Sequence, residues 1–341
     1  NLWSKNLTQH LTDANLVGTN EQNLRSYFEE KMNLVSILQK AGLGKYIIPQ
    51  TLISQPQSSE HLKQIYDDFK SEDGKLVVQN CGPGVNESGG GYSTIIVSSY
   101  EAFADLFKEQ TQGIKKVATY IKGCNSNLSF CAGNLLPNKA GLGAAKGQLQ
   151  EDDSLYAPST IDALLQRGEE LGLTQENTFS VVAPSTLKVV GDKNLSHSET
   201  SGVGNIINYH FASEISSQIY EIGNKLGSLM ALCGKVGLAG VDLIITKEGQ
   251  VFINEINDRQ QGTTETTSIN CENNNVPGLV HVAFLQNFSD MTDYSNYLFM
   301  KQLKENSKQI YEEMDKQQNS SPFYIKLLGK DENVYSSINL S

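Results

Sequence analysis

Two β-branched runs, Val241 to Thr246 and Gln250 to Ile256, are separated only by Lys247, Glu248 and Gly249. That spacing closes as an antiparallel hairpin, with glycine at the turn position that takes a positive φ. Alternation with period two then sets Val251, Ile253, Glu255 and Asn257 on one side of the second strand. Asp242 sits on the partner strand, and Arg259 follows Asn257 by two positions. A carboxylate and an amide oxygen two residues apart, with a second carboxylate across the hairpin, are hard donors of the kind Mg2+ or Mn2+ takes. Mg2+ uses few protein oxygens and keeps the rest of its shell for water and phosphate. Any one of these side chains alone is an ordinary surface polar group. Together, beside the apolar run Val251-Phe252-Ile253, they read as a metal site with Asp242, Glu255 and Asn257 as ligands.

A second unusual stretch lies upstream. Between the apolar segments of Lys75 to Val97 stand Gly89, Gly90, Gly91, Tyr92, Ser93 and Thr94. Successive glycines let the backbone approach a polyphosphate and aim its amides at the oxygens, and the Ser93 and Thr94 hydroxyls add donors. The same triplet also reads as a plain hairpin loop. No GxxxxGKS or GxxxxGKT pattern occurs in the chain, so this is not a Walker loop.

The remaining periodicities frame these two motifs. Ser26 to Pro49 reads as an amphipathic helix and then a strand: Phe28, Met32, Leu34, Val35 and Leu38 recur at helical spacing, and Gly42 with Gly44 stops the helix. A helix is expected from Ser99 to Gln110 and a strand over Ser185 to Val190. A long helix from about Phe211 to Val236 carries Ile215, Ile219, Ile222, Leu226, Leu229 and Met230 on one stripe, which is core. Ser198 to Asn205 is too rich in glycine to be strand and reads as loop. After Phe288 come a charged helix, Ser295 to Gln317, and a short strand, Phe323 to Leu328.

Composition excludes several classes. With 27 Lys and Arg against 38 Asp and Glu, the net charge of −11 argues against a nucleic-acid partner. No run approaches 18 apolar residues, so no membrane-spanning helix and no membrane partner are expected. Five cysteines, Cys81, Cys124, Cys131, Cys233 and Cys271, show neither CxxC nor zinc spacing, and their odd number suits free thiols in a reducing, cytoplasmic setting. At 341 residues the chain exceeds the size of one core, so two or more subdomains are expected. It begins without methionine or a signal-peptide pattern, and residues 1–20 are expected to be the end of a preceding domain.

The run Gly240-Val241-Asp242, a short turn, and a strand ending Asn254-Glu255-Ile256-Asn257 with Arg259 nearby resembles the metal site of the ATP-grasp superfamily. The resemblance implies an α+β fold (broadly α/β) in which two α+β subdomains grip ATP between them. Residues 21–120 would form the first, with the glycine hairpin, and 121–290 the second, with the metal and catalytic residues. Residues 291–341 would be a C-terminal extension. On the same resemblance Lys31 is a phosphate-binding lysine. Gly89, Gly90, Gly91, Ser93 and Thr94 would cover the phosphates, and Tyr120 and Ile121 in the crossing segment would meet adenine. Ser201, Gly202 and Gly204 would line the acyl-acceptor site, and Pro137 to Asp153 would form part of a lid. Two departures stand out. Gln79 occupies a position where many relatives have lysine, and a glutamine brings no charge. Asn125 and Asn127 stand where a ribose-binding acid is usual. Lys188, on the expected central strand, is the candidate second cation.

The implied activity is that of an ADP-forming ligase. With Mg2+ or Mn2+, ATP would phosphorylate a small-molecule carboxylate, and an amine or thiol acceptor would then displace phosphate. Arg259 has the planar fork to hold the acyl phosphate and, with Lys188, counts as catalytic. Glu-Ile-Asn-x-Arg together with Leu-Val-Val-Gln and the Gly loop resembles the amino-acid and peptide ligases of the superfamily, and a homodimer is compatible with it. The alternative from another class is a catalytically silent ATP-binding scaffold or sensor domain, to which Gln79 and the missing ribose acid point.

Overall fold

A computed structural model describes residues 22–55, 58–81, 94–108, 113–137, 160–192, 200, 202–207, 209–273, 275–288, 291–316 and 323–325. Two antiparallel sheets organise it. The smaller contains β1 (Gln50–Ile53), β2 (Leu76–Cys81), β3 (Thr94–Val97) and β4 (Ile114–Thr119) in the order β1-β4-β2-β3. Helices α3 (Ser59–Phe69) and α4 (Tyr100–Asp105) cover one face. Each starts at a serine whose hydroxyl accepts a backbone N–H three residues on, Ser58 from His61 and Ser99 from Ala102. Their Leu62, Ile65, Tyr66 and Phe103 pack against Leu76, Val78, Val97 and Val117. Strand alternation therefore turns Val77, Gln79, Ile96, Lys116 and Ala118 to the other face, which borders a cleft.

The larger sheet runs β10-β9-β5-β7-β8-β11, with β6 paired to the far half of β5. Its strands are β5 (Gly123–Asn134), β6 (Thr178–Val182), β7 (Thr186–Val190), β8 (Gly202–Ile206), β9 (Gly237–Thr246), β10 (Val251–Asn257) and β11 (Phe323–Ile325). One face is covered by α6 (Ser213–Leu232), with α5 (Ile161–Glu170) alongside. The expected stripe is the contact: Ile219, Ile222, Leu226, Leu229 and Met230 are buried against Leu128, Phe130, Val182, Val241 and Leu243, with Ile215 at the margin. Each such aliphatic side chain contributes about 1.5–3 kcal/mol on burial. A Cβ at Gly223 would come within 2.7 Å of Val182, so glycine lets the helix sit close on the sheet. The opposite face is covered at one end by α8 (Leu279–Phe288), with α7 (Thr264–Asn273) and α9 (Tyr294–Lys316) beyond it. Residues 291–316 and 323–325 are thus built into this body: Met300, Leu303 and Met314 join its core, and β11 pairs with β8.

Several local expectations change. Ser26 to Pro49 is two helices, α1 (Gln22–Glu29) and α2 (Leu34–Lys40), broken at Glu30 to Asn33, where the Asn33 amide donates to the Tyr27 carbonyl at 3.0 Å. A 3-10 turn over Gly44–Tyr46 follows, and the strand begins only at Gln50. The helix expected over Ser99 to Gln110 spans Tyr100–Asp105 among the described residues. The glycine-rich segment ending at Asn205 is not all loop: Gly202–Ile206 is a strand, because β7 and β11 bond it from both sides. The Lys247-Glu248-Gly249 turn closes as expected, with Gly249 at φ +83°. The Gly89 to Ser93 loop and most of Pro137 to Asp153 lie outside the described residues, as do residues 1–20. All five cysteines are free, and only Cys124 is exposed. No helix among the described residues is long and apolar enough to cross a membrane.

Candidate active site

The chain leaves the small sheet at Thr119 and enters the large one at Gly123, so Tyr120 and Ile121 lie in a crossing of three residues. Ile47 forms a parallel bridge to Ile253, a second tie near the same place. Between the sheets is a cleft. Val77, Gln79, Thr94, Ile96, Lys116 and Ala118 line it from one side, and Asn125, Lys188, Asp242, Ile244, Asn254 and Glu255 from the other; Tyr120 and Ile121 stand at its back.

A bulge in β10 aims the acidic end. Ile253 pairs with Leu243 but Glu255 with Asp242, so Asn254 is an extra residue in the ladder. The simple alternation fails there. Val251, Ile253 and Ile256 all enter the core under α6, while Glu255 and Asn257 lie on the opposite face, with Asp242. Val251 and Ile253 therefore do not share a face with Glu255 and Asn257. The extra residue reverses the phase, because one position of slip turns every later side chain over.

A polar row crosses the sheet at this level. Thr186, Asn127, Asp242 and Glu255 are successive register partners on β7, β5, β9 and β10. The Asn127 amide donates to Asp242 Oδ1, and Lys188 Nζ forms an ion pair with Asp242 Oδ2 at 2.7 Å. Gln261 Nε2 reaches Asp242 Oδ1 at 3.5 Å and Ser129 Oγ donates to Gln261 Oε1 at 3.0 Å, so a third layer orients the carboxylate. Burial, and then the Asp242 charge beside it, push the Glu255 carboxyl above the ordinary glutamate range. Burial alone would pull Lys188 down, yet Asp242 carries its ammonium above the usual lysine value. Asn257 pairs with Gly240 and is buried. Among the described residues no group of three or more acidic, histidine or cysteine side chains forms a metal cage.

Four other candidate residues, Lys31, Arg259, Gly202 and Gly204, are not among those lining the cleft. Lys31 occupies the turn between α1 and α2, close enough for its charge to act on both Glu255 and Lys116. Arg259 is ion-paired with Glu29, which also takes Arg25 at 3.1 Å. Gly202 lies against Lys188, where a Cβ would be 2.7 Å from Cε, and Gly204 faces Val189 in the ladder. Gly89, Gly90, Gly91, Ser93 and Ser201 fall outside the described residues.

The sequence reading missed three residues of the cleft and its support. In the sequence Asn127 reads only as a residue that is not an acid, and nothing marks Gln261 or Lys116 as part of a site. Lys116 has the strongest setting: it is 2% exposed, and burial first, with the Lys31 charge adding, lowers its ammonium to about 8 against the pull of Glu255. The one available signal was the pair Lys115-Lys116 in a strand pattern, since alternation must put one of the two on the inner face.

No protein-family model and no curated protein matches the sequence. Solved structures do match it. The biotin carboxylase domain of 2-oxoglutarate carboxylase from Hydrogenobacter thermophilus, with MgADP and bicarbonate, aligns at TM-score 0.52 and 11% identity over 85% of this chain and 52% of that one. Biotin carboxylase from Campylobacter jejuni in an ATP complex aligns at 0.52 and 10% over 83% and 51%. N5-carboxyaminoimidazole ribonucleotide synthetase with ADP aligns at 0.51 and 14% over 83% and 57%. At such identities the likeness is one of fold, and the fold is the α+β ATP-grasp fold. The chain spans little more than half the length of these structures.

Proposed function

We propose that the chain is an ATP-dependent, ADP-forming ligase that activates a carboxylate as an acyl phosphate and joins it to an amine or thiol, with an amino acid or peptide as the favoured substrate class. The observation that carries this reading is the meeting of Asp242 and Glu255 with Lys188 and Lys116 in one cleft between the two sheets. The nucleotides named with the structures of like fold support it.

The acidic row suits Mg2+ or Mn2+. Asp242 and Glu255 are adjacent carboxylates whose mutual repulsion helps raise Glu255, and a divalent cation removes that conflict. Asp242, Glu255 and Asn257 supply two carboxylates and an amide, few enough to leave coordination sites for phosphate and water. When bound, the metal neutralises charge on the phosphates. Lys188, ion-paired with Asp242 at 2.7 Å, would be the cation of this sheet nearest the phosphates. Gln79, with one N–H given to Thr94, has its second for the nucleotide from the opposite sheet, Lys31 would approach from the α1–α2 turn, and Tyr120 and Ile121 would flank the base. The substrate carboxylate oxygen bonds to the γ-phosphorus as the bond to ADP breaks. The acceptor then bonds to the acyl carbon, loses its proton, and expels phosphate. Arg259 Nη1 is engaged by Glu29, and its remaining N–H groups suit the acyl phosphate. Ser201, Gly202 and Gly204, beside Lys188, would border the acceptor.

Incubation with ATP, Mg2+ and a pool of amino acids is expected to release ADP and phosphate. AMP as the product would sink the acyl-phosphate route, and ATP binding without turnover across a broad acid and amine panel would favour the silent scaffold.

A further inference from the structure

We propose that Lys116 is the cation with which the small sheet holds the nucleotide's polyphosphate, from the strand next to the uncharged Gln79. The inference rests on the nucleotide-binding reading above and adds to it a residue and a role.

Three observations carry it. Lys116 and Gln79 are register partners on β4 and β2, and both face the cleft. A charge at either position therefore acts on nearly the same space, since directly opposed Cβ atoms in an antiparallel pair are about 5 Å apart. Gln79 is already committed within the sheet, its Nε2 donating to Thr94 Oγ1 at 2.9 Å. Lys116, in contrast, is buried with little to hold it. Its Nζ reaches the Asn254 carbonyl only at 3.5 Å, and among the described residues no carboxylate lies within ion-pairing distance.

Such an arrangement is costly unless something else completes it. A buried ammonium needs several short hydrogen bonds or a close counter-charge; Lys116 has one long bond, and the Glu255 carboxylate pulls on it without an ion pair between them. Cleft neighbours do not complete it: Asp242 is taken by Lys188, and Glu255 acts on Lys116 only as a nearby charge, with no ion pair between them among the described residues. A polyphosphate in the cleft meets the need, offering charged oxygens to all three N–H groups. The contact to Asn254 has a second meaning. It ties the small sheet to the bulge of β10, so the ammonium waits where the two sheets face each other.

The test is a charge swap read by binding. Affinity of a non-hydrolysable ATP analogue with Mg2+ is measured for wild type, K116R, K116Q and K116Q with Q79K, together with melting temperatures of the ligand-free proteins. K116Q is expected to weaken binding about 10- to 100-fold, the range of a charge-assisted contact. Q79K should recover most of that loss, and K116R should retain affinity near wild type. Ligand-free K116Q should melt no lower than wild type, because an uncompensated buried charge is removed. Equal binding by K116Q and wild type would overturn the inference. So would a loss that neither K116R nor Q79K repairs, or a K116Q protein that melts markedly lower or does not fold, since these mark a structural lysine. Failure of the wild type itself to bind the analogue would overturn the nucleotide reading instead.

Discussion

On the large sheet Asp242 already holds Lys188 and Asn127, whereas on the small sheet the Lys116 ammonium is buried with one long bond to a backbone carbonyl. The two faces of the cleft thus differ in how complete they are without ligand. On the acidic face Asp242 has its hydrogen bonds made and its carboxylate oriented, and the remaining conflict is its repulsion with Glu255. The opposite face keeps an unmet charge. On the proposed reading, one side would serve the chemistry and the other the capture of the nucleotide.

That contrast can be broken first at the acidic face. Glu255→Gln is expected to lower ADP release by at least ~10³-fold while the ligand-free protein keeps its stability, because the change relieves the repulsion with Asp242 and breaks no ion pair among the described residues. Turnover assays beside thermal melts check both halves. Lys188→Met strikes the same row by removing a partner. It leaves Asp242 without its ion-paired cation, so stability should fall by about 1–3 kcal/mol in urea titrations and turnover by about 10²-fold. Equal stability of the two variants would erase the distinction between repulsion and pairing drawn here.

A gentler change sharpens it. Gly202→Ala places a methyl against the Lys188 stem, which is flexible enough to move aside. Stability should change by less than about 1 kcal/mol while turnover drops about tenfold, because only the aim of Lys188 is lost.

The smallest effect lies on the capture face and is read by pH. Lys116 is held down to about 8 by burial and Lys31, with Glu255 and Cys81 opposing. Below that pH the ammonium is already charged and binding needs no proton. Above it, binding must take one up, so affinity for ATP should decline as pH rises from about 8, by at most tenfold per unit. Arg at position 116 should flatten the profile. The stability of the ligand-free protein runs the other way. The folded state holds this proton less tightly than the unfolded chain, so the penalty is full below about 8 and shrinks toward the ordinary lysine value near 10.5. Melting temperatures of wild type and K116Q should therefore converge between those limits.

Much of this cleft was legible in the sequence, and the misses have physical causes. The Lys247-Glu248-Gly249 hairpin, the α6 stripe and the acidic pair follow from turn chemistry and periodicity, which are local. The β10 bulge does not, since its effect depends on pairing with β9; Asn254 inside an apolar run was the only trace. The break at Glu30 to Asn33 has no glycine or proline to announce it. Strand β8 reads as loop until β7 and β11, separated from each other by over 130 residues, bond to its two edges. Lys116 looks like a solvent lysine unless the helices covering the other face of its sheet are known. Nothing in the residue string says which face of β4 stays open.

The bulge also sets where this hairpin tolerates change in length. Loss or gain of a residue at Lys247 to Gly249 falls at a turn of exposed and half-buried residues, where the loop can take up the change before the strands must. Loss of one residue at Asn254 would send Glu255 and Asn257 into the apolar layer under α6 and turn Ile256 out to the cleft. A chain carrying every residue of the acidic site in the right order could thus lack the site entirely, one deletion away from it.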